Sequence, residues 1–394
     1  MKTRVLFVAD VHVGNHGRMA RPPEADAPGI NSRCAEVLRV LLGAARHAAG
    51  HAAPLVVLGD LLDRARTDPR VLRACAEALR PAAEAGGVFV LKGNHESLSR
   101  AEGDHGLGPL ALLPGLRVID RPEVVRLRKG LPKPDVELWM VPFDPRPAPE
   151  VLRAALPALR AQAEAGREYP AVDALLCIHA GVIADTTPPF LRDAHDAVSV
   201  EVLADLAVEY DLRAVFAGNW HDRGRWAVSP TATVLQVGAL APTGFSNPGL
   251  AGYGCIAGWP GEGGAEPSEV FLPGPRFVEV RTQAELDRAL REGECSSHRI
   301  YLRWHVAAED FGAAREVLAE AVADGVLAGA EAVVDPTEAV VAARTAAQAA
   351  RAAPSVDAAL VRYLDAAPPP EGVSPAAVLA RVRGYLASEG GVES

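Results

Sequence analysis

The chain alternates short apolar runs with longer segments in which apolar residues recur every three or four positions. Residues 5–9 form an uninterrupted apolar run that ends at Asp10, which is typical of a strand buried on both faces. Residues 32–49 carry an apolar stripe after an Asn-Ser start, which predicts a helix. The alternation indicates a layered α/β domain. It predicts further strands at residues 55–58, 88–91, 116–119, 124–127, 136–141, 174–178 and 214–217, and helices at 69–84 and 150–165.

The last third of the chain has a different pattern. Residues 233–237 and 252–259 are predicted to be consecutive strands of a second sheet. A stretch rich in Gly, Pro and Glu at residues 260–269 then interrupts the pattern, as loops between domains do. We therefore predict a first domain over residues 1–265 and a C-terminal α+β domain over residues 276–394. The predicted elements of this second domain are strands at 277–281 and 299–306, helices at 283–291 and 309–323, and an Ala-rich helical region.

Composition narrows the class of protein. A chain of 394 residues that is 49% hydrophobic has ample material for a large core. The net charge of −10 argues against a generally basic nucleic-acid binder, although bound metal ions can supply positive charge locally. The five cysteines are scattered, as expected for free thiols in a reducing cytoplasm. No apolar stretch reaches the roughly 20 residues of a membrane span, and no charged leader precedes the first strand, so we expect a cytoplasmic protein without a membrane partner.

Short motifs of acidic, amide and histidine residues follow several of the predicted strands. Because the carboxyl ends of parallel strands open on one crevice, we expect these side chains to converge. Glycines within the motifs let the backbone turn sharply as each side chain enters the crevice. The motifs are Asp10-Val-His12, Gly59-Asp60-Leu-Leu-Asp63, Gly93-Asn94-His95-Glu96, His179 and Gly218-Asn219-Trp220-His221.

The chemistry of these side chains points to metal ions. Carboxylate and amide oxygens mixed with imidazole nitrogens suit Mn²⁺, Fe²⁺ or Zn²⁺ better than Ca²⁺. Two such ions about 3.5–4 Å apart can share a carboxylate and a water molecule, lower the pKa of that water and clamp the oxygens of a phosphate ester. The motifs therefore predict a site for two divalent metal ions that hydrolyses phosphate esters.

The motifs, in this order, resemble those of the calcineurin-like metallophosphoesterase superfamily over about residues 1–260. The resemblance implies a two-layer β-sandwich flanked by helices. It also implies that His95 is the catalytic histidine, which contacts the substrate phosphate and protonates the leaving oxygen. The metal ligands that it implies are Asp10, His12 and His221 for the first ion, Asp60 as the bridging ligand, and Asn94 and His179 for the second ion.

One position departs from the family pattern. The last motif of the family is Gly-His-x-His, whereas this chain has Asn219 in place of the first histidine. An amide oxygen can bind the second ion, but more weakly than imidazole, so we expect a looser ion or a stronger dependence on Mn²⁺. The alternative is a degraded site with a scaffolding role. The roles of two neighbouring residues stay open. Glu96 either orients the ring of His95 or is a solvated acid, and Trp220 either packs within the fold or stacks on a base.

Two further resemblances bear on the substrate. Gly-Asp-x-x-Asp-Arg with Gly-Asn-His-Glu is similar to the serine/threonine protein phosphatases, which makes Arg64 a candidate phosphate ligand, but those enzymes lack a ligand like His221. Residues 237–245 and the region from residue 277 onward resemble the SbcD-type subunit of bacterial DNA repair exonucleases and its phage counterparts. In those nucleases a capping domain helps to hold DNA over the metal ions.

Charge in the predicted capping region argues against a phosphate-binding surface there. From residue 277 onward acids outnumber arginines and no lysine occurs, which is the reverse of what a domain gripping phosphates needs. We therefore expect DNA to be held by arginines near the site or by a partner protein. The candidate arginines are Arg18, Arg223 and Arg225, and for each of them a solvated surface position is the alternative.

The motifs and these resemblances are consistent with two functions of different classes. The first is a Mn²⁺-dependent DNA exonuclease or endonuclease subunit that works in DNA repair with a coiled-coil ABC-type ATPase and could form a homodimer. Residues 374–388 could be the helix that docks on the ATPase, although a plain core helix has the same pattern. The second is a stand-alone phosphomonoesterase acting on a phosphoprotein or a nucleotide.

Overall fold

The structure is a computed structural model that describes most of the chain, and the chain falls into two compact units. One unit comprises Met1–Trp304 and Glu316–Glu331, and the other comprises His305–Arg315 and Ala332–Ser394. Most of the predicted docking helix at residues 374–388, and Arg18, lie outside the described residues. Those described are 3–17, 19–23, 28–99, 103–127, 136–165, 173–245, 253–260, 266–295, 299–334, 361, 374, 378, 379 and 381.

The described part of the chain contains both strands and helices throughout. The strands are β1 (Thr3–Val8), β2 (Leu55–Val57), β3 (Val88–Leu91), β4 (Leu116–Ile119), β5 (Glu123–Leu127), β6 (Val136–Val141), β7 (Asp173–His179), β8 (Gly181–Ile183), β9 (Ala197–Ser199), β10 (Leu212–Gly218), β11 (Gly224–Ser229), β12 (Ala232–Gln236), β13 (Tyr253–Pro260), β14 (Ser268–Pro273), β15 (Arg276–Val280), β16 (Ile300–Val306) and β17 (Gly329–Val334). The α-helices are α1 (Ser32–His51), α2 (Pro69–Ala85), α3 (Ala148–Ala165), α4 (Val200–Glu209), α5 (Gln283–Cys295) and α6 (Phe311–Ala323).

Two six-stranded sheets pack face to face. Their strand orders are β14-β13-β1-β2-β3-β4 and β11-β12-β10-β7-β6-β5. Buried side chains from both sheets fill the space between them, where the rings of Phe7 on β1 and Phe216 on β10 stack with centroids 3.8 Å apart. Helices α1 and α2 cover the outer face of the first sheet, and α3 and α4 cover that of the second. The predicted sandwich flanked by helices is confirmed.

Local sequence explains where the first two helices begin. Asn31 precedes α1, and its side chain accepts a hydrogen bond from the backbone N–H of Cys34. Asp68 precedes α2 and accepts from the N–H of Arg70 in the same way. Pro69, at the first position of α2, has no N–H that would need a partner. These caps lie at the starts that the polar residues predict.

The central strands bring the predicted site residues to one end of the sandwich. Strands β1, β2 and β3 pair in parallel in the first sheet. Strands β6, β7 and β10 do so in the second sheet, where Gly218 pairs with His179. The carboxyl ends of both parallel sets are therefore the places where the motifs leave the sheets.

One predicted pairing is wrong. The sequence predicts that residues 233–237 and 252–259 are consecutive strands of one sheet, but β12 lies in the second sheet and β13 pairs antiparallel with β1 in the first. The chain between them crosses toward the first sheet, where the N–H of Leu240 donates to the carbonyl of Ala9. Trp259 of β13 is then fully buried in the core between the sheets, so burial of this ring favours the observed pairing.

A third, smaller sheet has the order β15-β16-β17, and α5 packs against β15. The strands and helices predicted near residues 277–323 are therefore present. The Ala-rich helical region predicted after them is wrong at Gly329–Val334, which forms β17, because pairing in the third sheet outweighs the helix propensity of alanine. The predicted domain boundary near residue 265 stays a prediction. No helix in the described ranges is both long and apolar enough to cross a bilayer.

Candidate metal centre

Donor side chains from the motifs converge at the carboxyl ends of the parallel strands, as predicted. They form three overlapping groups, and within each group the ligand atoms lie within 4.8 Å of one another. The groups are Asp10 with His12 and His221, His12 with Asp60 and His95, and Asp10 with Asp60 and His179. Because the groups share members, the donors could surround adjacent ions.

The backbone is strained at several of these positions. Asp10, His12, Asp60 and Asn219 adopt left-handed conformations with φ of 49°, 51°, 51° and 91°. Such conformations are uncommon for residues other than glycine and concentrate at functional sites. The strain turns the side chains inward at the point where each strand ends.

Gly59 shows how tightly the motifs pack. Its φ is +96°, and a Cβ at this position would lie 2.0 Å from Nδ1 of His179. Only glycine therefore fits, because any side chain would collide with an imidazole that the motif requires. Glycine is therefore required at the position before Asp60, because it leaves room for the ring of His179.

His12 and His221 define the side of the site where the first ion is expected. Their Nε2 atoms lie 3.0 Å apart, and Nε2 of His12 lies 3.8 Å from Oδ2 of Asp60. Nitrogen and oxygen lone pairs that face the same small volume are what a shared cation requires. The donor set therefore fits a divalent metal ion.

His179 and Asn94 define the opposite side. Nε2 of His179 lies 2.9 Å from Oδ1 of Asn94 and 3.5 Å from Oδ1 of Asp60. The other ring nitrogen, Nδ1, donates to the carbonyl of Leu58 at 2.7 Å. This bond fixes the tautomer, so that Nε2 is the atom presented to an ion.

Burial and neighbouring charges shift the pKa values of these groups. Burial raises the pKa of Asp10 to about 7, although His179 opposes the shift, and burial lowers the pKa of His12 to about 3. Burial would also raise the pKa of Asp60, but the adjacent His179 lowers it below its usual range. Asp60 in return raises the pKa of His179 to about 9 against the effect of burial. A neutral His12 beside an ionised Asp60 suits the binding of a cation.

His95 differs from the other imidazoles because its side chain is 41% exposed. Its Nδ1 donates to the carbonyl of Asp63 at 2.7 Å, and its backbone N–H donates to Oδ1 of Asp60 at 3.0 Å. Its Nε2 lies 4.0 Å from Oδ2 of Asp60. The ring is thus held at the mouth of the site with Nε2 available to a substrate, as a proton donor needs.

Glu96 has neither of the two roles that the sequence leaves open. The residue is fully buried, and its carboxylate accepts hydrogen bonds from the backbone N–H groups of Asp60, Leu62 and Gly93 at 3.2, 2.8 and 2.8 Å. Burial, together with the charge of Asp60, raises its pKa to about 7. Glu96 therefore ties the loop after β2 to the loop after β3, and does not orient the ring of His95.

The backbone and side chain of Asn219 make separate contacts. Its N–H donates to the carboxylate of Asp10, while Nδ2 donates to the carbonyl and Oδ2 of Asp196 at 3.2 and 3.0 Å. Both partners of Nδ2 are acceptors, so the NH₂ group must face Asp196 and the amide oxygen points elsewhere. Asp196 lies just before β9 and has no motif around it, so sequence reasoning did not find it.

Trp220 is a packing residue. Its indole lies so close to the backbone of Gly181 that a Cβ at that glycine would lie 2.3 Å from the ring. The ring therefore covers the start of β8, and Gly181 is small because Trp220 occupies the space. This contact supports the packing interpretation over a platform for a base.

The arginines predicted to bind substrate do not lie together. Arg223 pairs with Glu269, and Arg225 pairs with Glu266 at 2.8 Å. Arg223 directly precedes the edge strand β11 and Arg225 lies on it, and both pair with acids in or just before β14. Their predicted role in substrate binding stays a prediction. Arg64 also pairs with an acid, Asp63, at 3.1 Å, although its side chain is 71% exposed, and its predicted role remains a prediction.

A cleft of about 560 Å³ begins at Asp63, whose carbonyl accepts the hydrogen bond from Nδ1 of His95. Asp63 and Arg64 line it on one side, and Phe277 and Arg303 of the third sheet line it on the other. Arg33, which sequence reasoning missed because α1 looked like an ordinary surface helix, is buried there with its guanidinium 4.6 Å from the ring centroid of Phe277. The cleft extends the site beyond the metal donors.

Comparison with known proteins assigns the family. The family model for the calcineurin-like phosphoesterases matches residues 3–223, which include all of the motifs. The chain is a calcineurin-like phosphoesterase. Metal-dependent hydrolysis of phosphoesters is the chemistry of this metallophosphoesterase family, and the converging donors of this chain fit it.

Several solved structures are similar to this one at low sequence identity. Protein TT1561 of Thermus thermophilus is 12% identical over 69% of this chain and 99% of its own, with a TM-score of 0.42. A purple acid phosphatase from yellow lupin is 12% identical over 65% of this chain and 49% of its own (TM-score 0.40). The nuclease MPE of Pseudomonas putida is 22% identical over 46% and 65% (TM-score 0.22). No curated protein matches this phosphoesterase.

Proposed function

We propose that this phosphoesterase is a DNA exonuclease or endonuclease subunit that hydrolyses phosphodiester bonds with two Mn²⁺ ions, in DNA repair in the cytoplasm. Asp10, His12 and His221 would hold one ion, and Asn94 and His179 the other. Asp60 would hold both, because its two carboxylate oxygens face His12 and His179 respectively. Bound ions would lower the pKa of a water molecule and neutralise charge on the phosphate.

His95 would act on the leaving group. Its Nδ1 is committed to the carbonyl of Asp63, so Nε2 is the atom that can contact a phosphate oxygen and transfer a proton to the departing oxygen. The loop that carries it is held by Glu96, whose three hydrogen bonds keep the motif after β3 against the motif after β2. The proton donor is therefore preorganised with respect to Asp60.

The cleft beside His95 is the observation that favours a phosphodiester substrate. It continues from Asp63, which contacts His95, to Phe277 on the third sheet. A phosphomonoester needs room for one substituent on the phosphate, whereas a cleft of about 560 Å³ has room for a second one that continues past the site. Exposed Arg64 in its wall suits contact with the backbone of a nucleic-acid strand.

The net charge of −10 also favours a partner. Because a strongly acidic protein attracts DNA weakly, we include in the proposal a coiled-coil ABC-type ATPase that holds the DNA, with a homodimer as a further possible arrangement. The alternative function is a stand-alone phosphomonoesterase acting on a phosphoprotein or nucleotide. Exposed Arg64 beside the site favours it, as a ligand for a terminal phosphate.

Hydrolysis assays test the proposal. With Mn²⁺, the protein is expected to hydrolyse bis-p-nitrophenyl phosphate and to degrade linear DNA. His95→Asn removes the proton donor and should lower kcat by about 10²- to 10⁴-fold while the metal content stays unchanged. His47→Asn, on α1 and away from the donors, is the matched control. Hydrolysis of phosphomonoesters alone, with linear and single-stranded DNA left intact, would overturn the nuclease proposal in favour of the alternative.

A further inference from the structure

A second cavity, of about 470 Å³, is lined by Lys92, which lies two residues before Asn94. Its walls come from the end of β3, the segment after β6 and one face of α3. The volume falls within the range of about 300–1,000 Å³ that is usual for small-molecule sites. None of the motifs that predicted the metal centre explains why this cavity exists.

Lys92 supplies a positive charge to this cavity. The residue is only 8% exposed, and its backbone is held by bonds to Ile119 and Phe143. Among the residues that the structure describes, no hydrogen bond or ion pair engages its ammonium group. An ammonium group that lines a cavity without a direct ion pair can donate to an anionic ligand there, so this position favours such a ligand.

The acids in the cavity already have partners of their own. Asp144 accepts two bonds from the guanidinium of Arg146, at 2.9 and 2.8 Å. Asp120 lies 3.6 Å from Nε2 of His105. The pKa of Asp144 is lowered mainly by Arg146 and less by Lys92, so Arg146 holds this acid directly and the donors of Lys92 are left for a ligand that enters the cavity.

Apart from Gln162, the rest of the wall is apolar. Pro142, Phe143 and Pro145 form one side, and Ala155 and Leu159 of α3 form the other. Flat apolar surfaces of this kind suit a planar ring, which gains dispersion and hydrophobic contacts on both faces. An anion next to a planar ring is the combination that a nucleotide offers.

The cavity adjoins the donors expected to hold the second ion. Lys92 directly precedes Gly93 and Asn94 in the motif after β3. The ring of Phe143 meets that of His179 edge to face, with centroids 6.3 Å apart. A group bound in the cavity would thus lie beside a phosphate at the metal centre.

From these contacts we infer that the cavity binds a nucleotide of the substrate strand adjacent to the scissile phosphate, with its base between the proline and α3 walls and its phosphate at Lys92. This inference rests on the proposed phosphodiesterase function and deepens it. It assigns nucleoside recognition to the second-ion side of the site.

Filling the cavity tests the inference. Ala158 is an exposed residue of α3 that lines the cavity, whereas Ala161 on the same helix is exposed but does not line it. Ala158→Trp should therefore fill the cavity, and Ala161→Trp is the matched control. The substrates are the p-nitrophenyl esters of thymidine 3′- and 5′-phosphate, compared with methyl p-nitrophenyl phosphate, which has the same leaving group and no nucleoside.

We expect Ala158→Trp to raise KM for one of the two thymidine esters by about tenfold or more, which corresponds to losing about 1.4 kcal/mol of binding. The rate with the methyl ester should stay within twofold, and Ala161→Trp should match the native protein with every substrate. Equal effects of Ala158→Trp on thymidine and methyl esters, or no effect on either, would overturn the inference.

Binding measurements separate failure of this inference from failure of the proposed function. Thymidine monophosphate should bind the native protein in calorimetry, and Lys92→Met should weaken it by about tenfold without changing thymidine binding. If the native protein hydrolyses none of the esters, the proposed function fails. Loss of nucleotide binding in Ala158→Trp would then still support the cavity. If thymidine monophosphate binds but does not inhibit DNA cleavage, the inference that the cavity holds part of the substrate strand is overturned.

Discussion

Asn219 shows how one side chain can change a metal site without removing it. An imidazole would bring a strong nitrogen donor to this position, whereas the amide brings only an oxygen. The contacts of Nδ2 with Asp196 fix which way the amide faces, so its oxygen is not free to rotate away. A fixed orientation recovers part of the binding energy that a weaker donor loses, because less rotational freedom is lost when an ion binds.

The substitution Asn219→His tests this position. If Oδ1 of Asn219 faces the second ion, the imidazole should lower the Mn²⁺ concentration that gives half-maximal activity, because it is the stronger ligand. Asp196→Ala should raise that concentration by about tenfold or more, since it releases the amide. Metal content after dialysis gives a readout independent of activity. An unchanged or higher requirement in Asn219→His would place residue 219 away from the ion.

At the scale of elements, the site depends on the relative position of the two sheets, because each sheet supplies some of the donors. Asp10, Asp60 and Asn94 follow the ends of β1, β2 and β3 in the first sheet. In the second sheet, His179 ends β7 and His221 follows β10. Fully buried aromatic rings lie between these strands, and they cannot shift without opening a cavity. Packing between the sheets therefore sets the distances between the metal donors.

Phe7→Ala is expected to destabilise the protein by about 3–5 kcal/mol, the usual cost of removing a buried phenyl ring. Phe7 is fully buried and stacks on Phe216. The matched control is Phe271→Ala on β14, whose side chain is 47% exposed and which should change stability by roughly 0.5 kcal/mol. Urea unfolding monitored by circular dichroism measures both. Equal losses from the two variants would show that the stacked pair is not a main contact between the sheets.

For the whole molecule, the site concentrates buried charge that the fold alone does not neutralise. Asp10, Asp60 and Glu96 are buried together at the end of the sandwich, in a chain whose net charge is −10. Mutual repulsion and burial raise the pKa of both Asp10 and Glu96 to about 7. A bound cation would remove much of this repulsion, so metal binding and folding should be coupled.

Mn²⁺ is therefore expected to raise the melting temperature of the metal-free protein by several degrees. Ligand at 100 times its dissociation constant stabilises a folded protein by about 2.7 kcal/mol. Scanning calorimetry with and without EDTA measures the shift, and His95→Asn should retain it because His95 is not a predicted ligand. A melting temperature that does not respond to Mn²⁺ would contradict the assignment of the donors.

The sequence by itself determined the strand–helix order and the candidate donor residues, because each follows from local features, while the flanked sandwich was implied by the resemblance of the motifs to a known family. Apolar periodicity identifies a strand, a polar residue marks its end, and the donor atoms are properties of single side chains. Tertiary structure alone decided which sheet β13 joins, since both sheets offered an edge. It also paired Arg223 and Arg225 with acids more than 40 residues away.

The remaining roles also depended on contacts distant in sequence. Glu96 bonds to N–H groups 36 and 34 positions away, and Asp196 meets Asn219 across 23 positions. Lys92 stands next to a recognisable motif, yet only the packing of α3 against the segment after β6 places it in a cavity. No local pattern marks such residues, because burial and the absence or presence of a partner are properties of the folded chain.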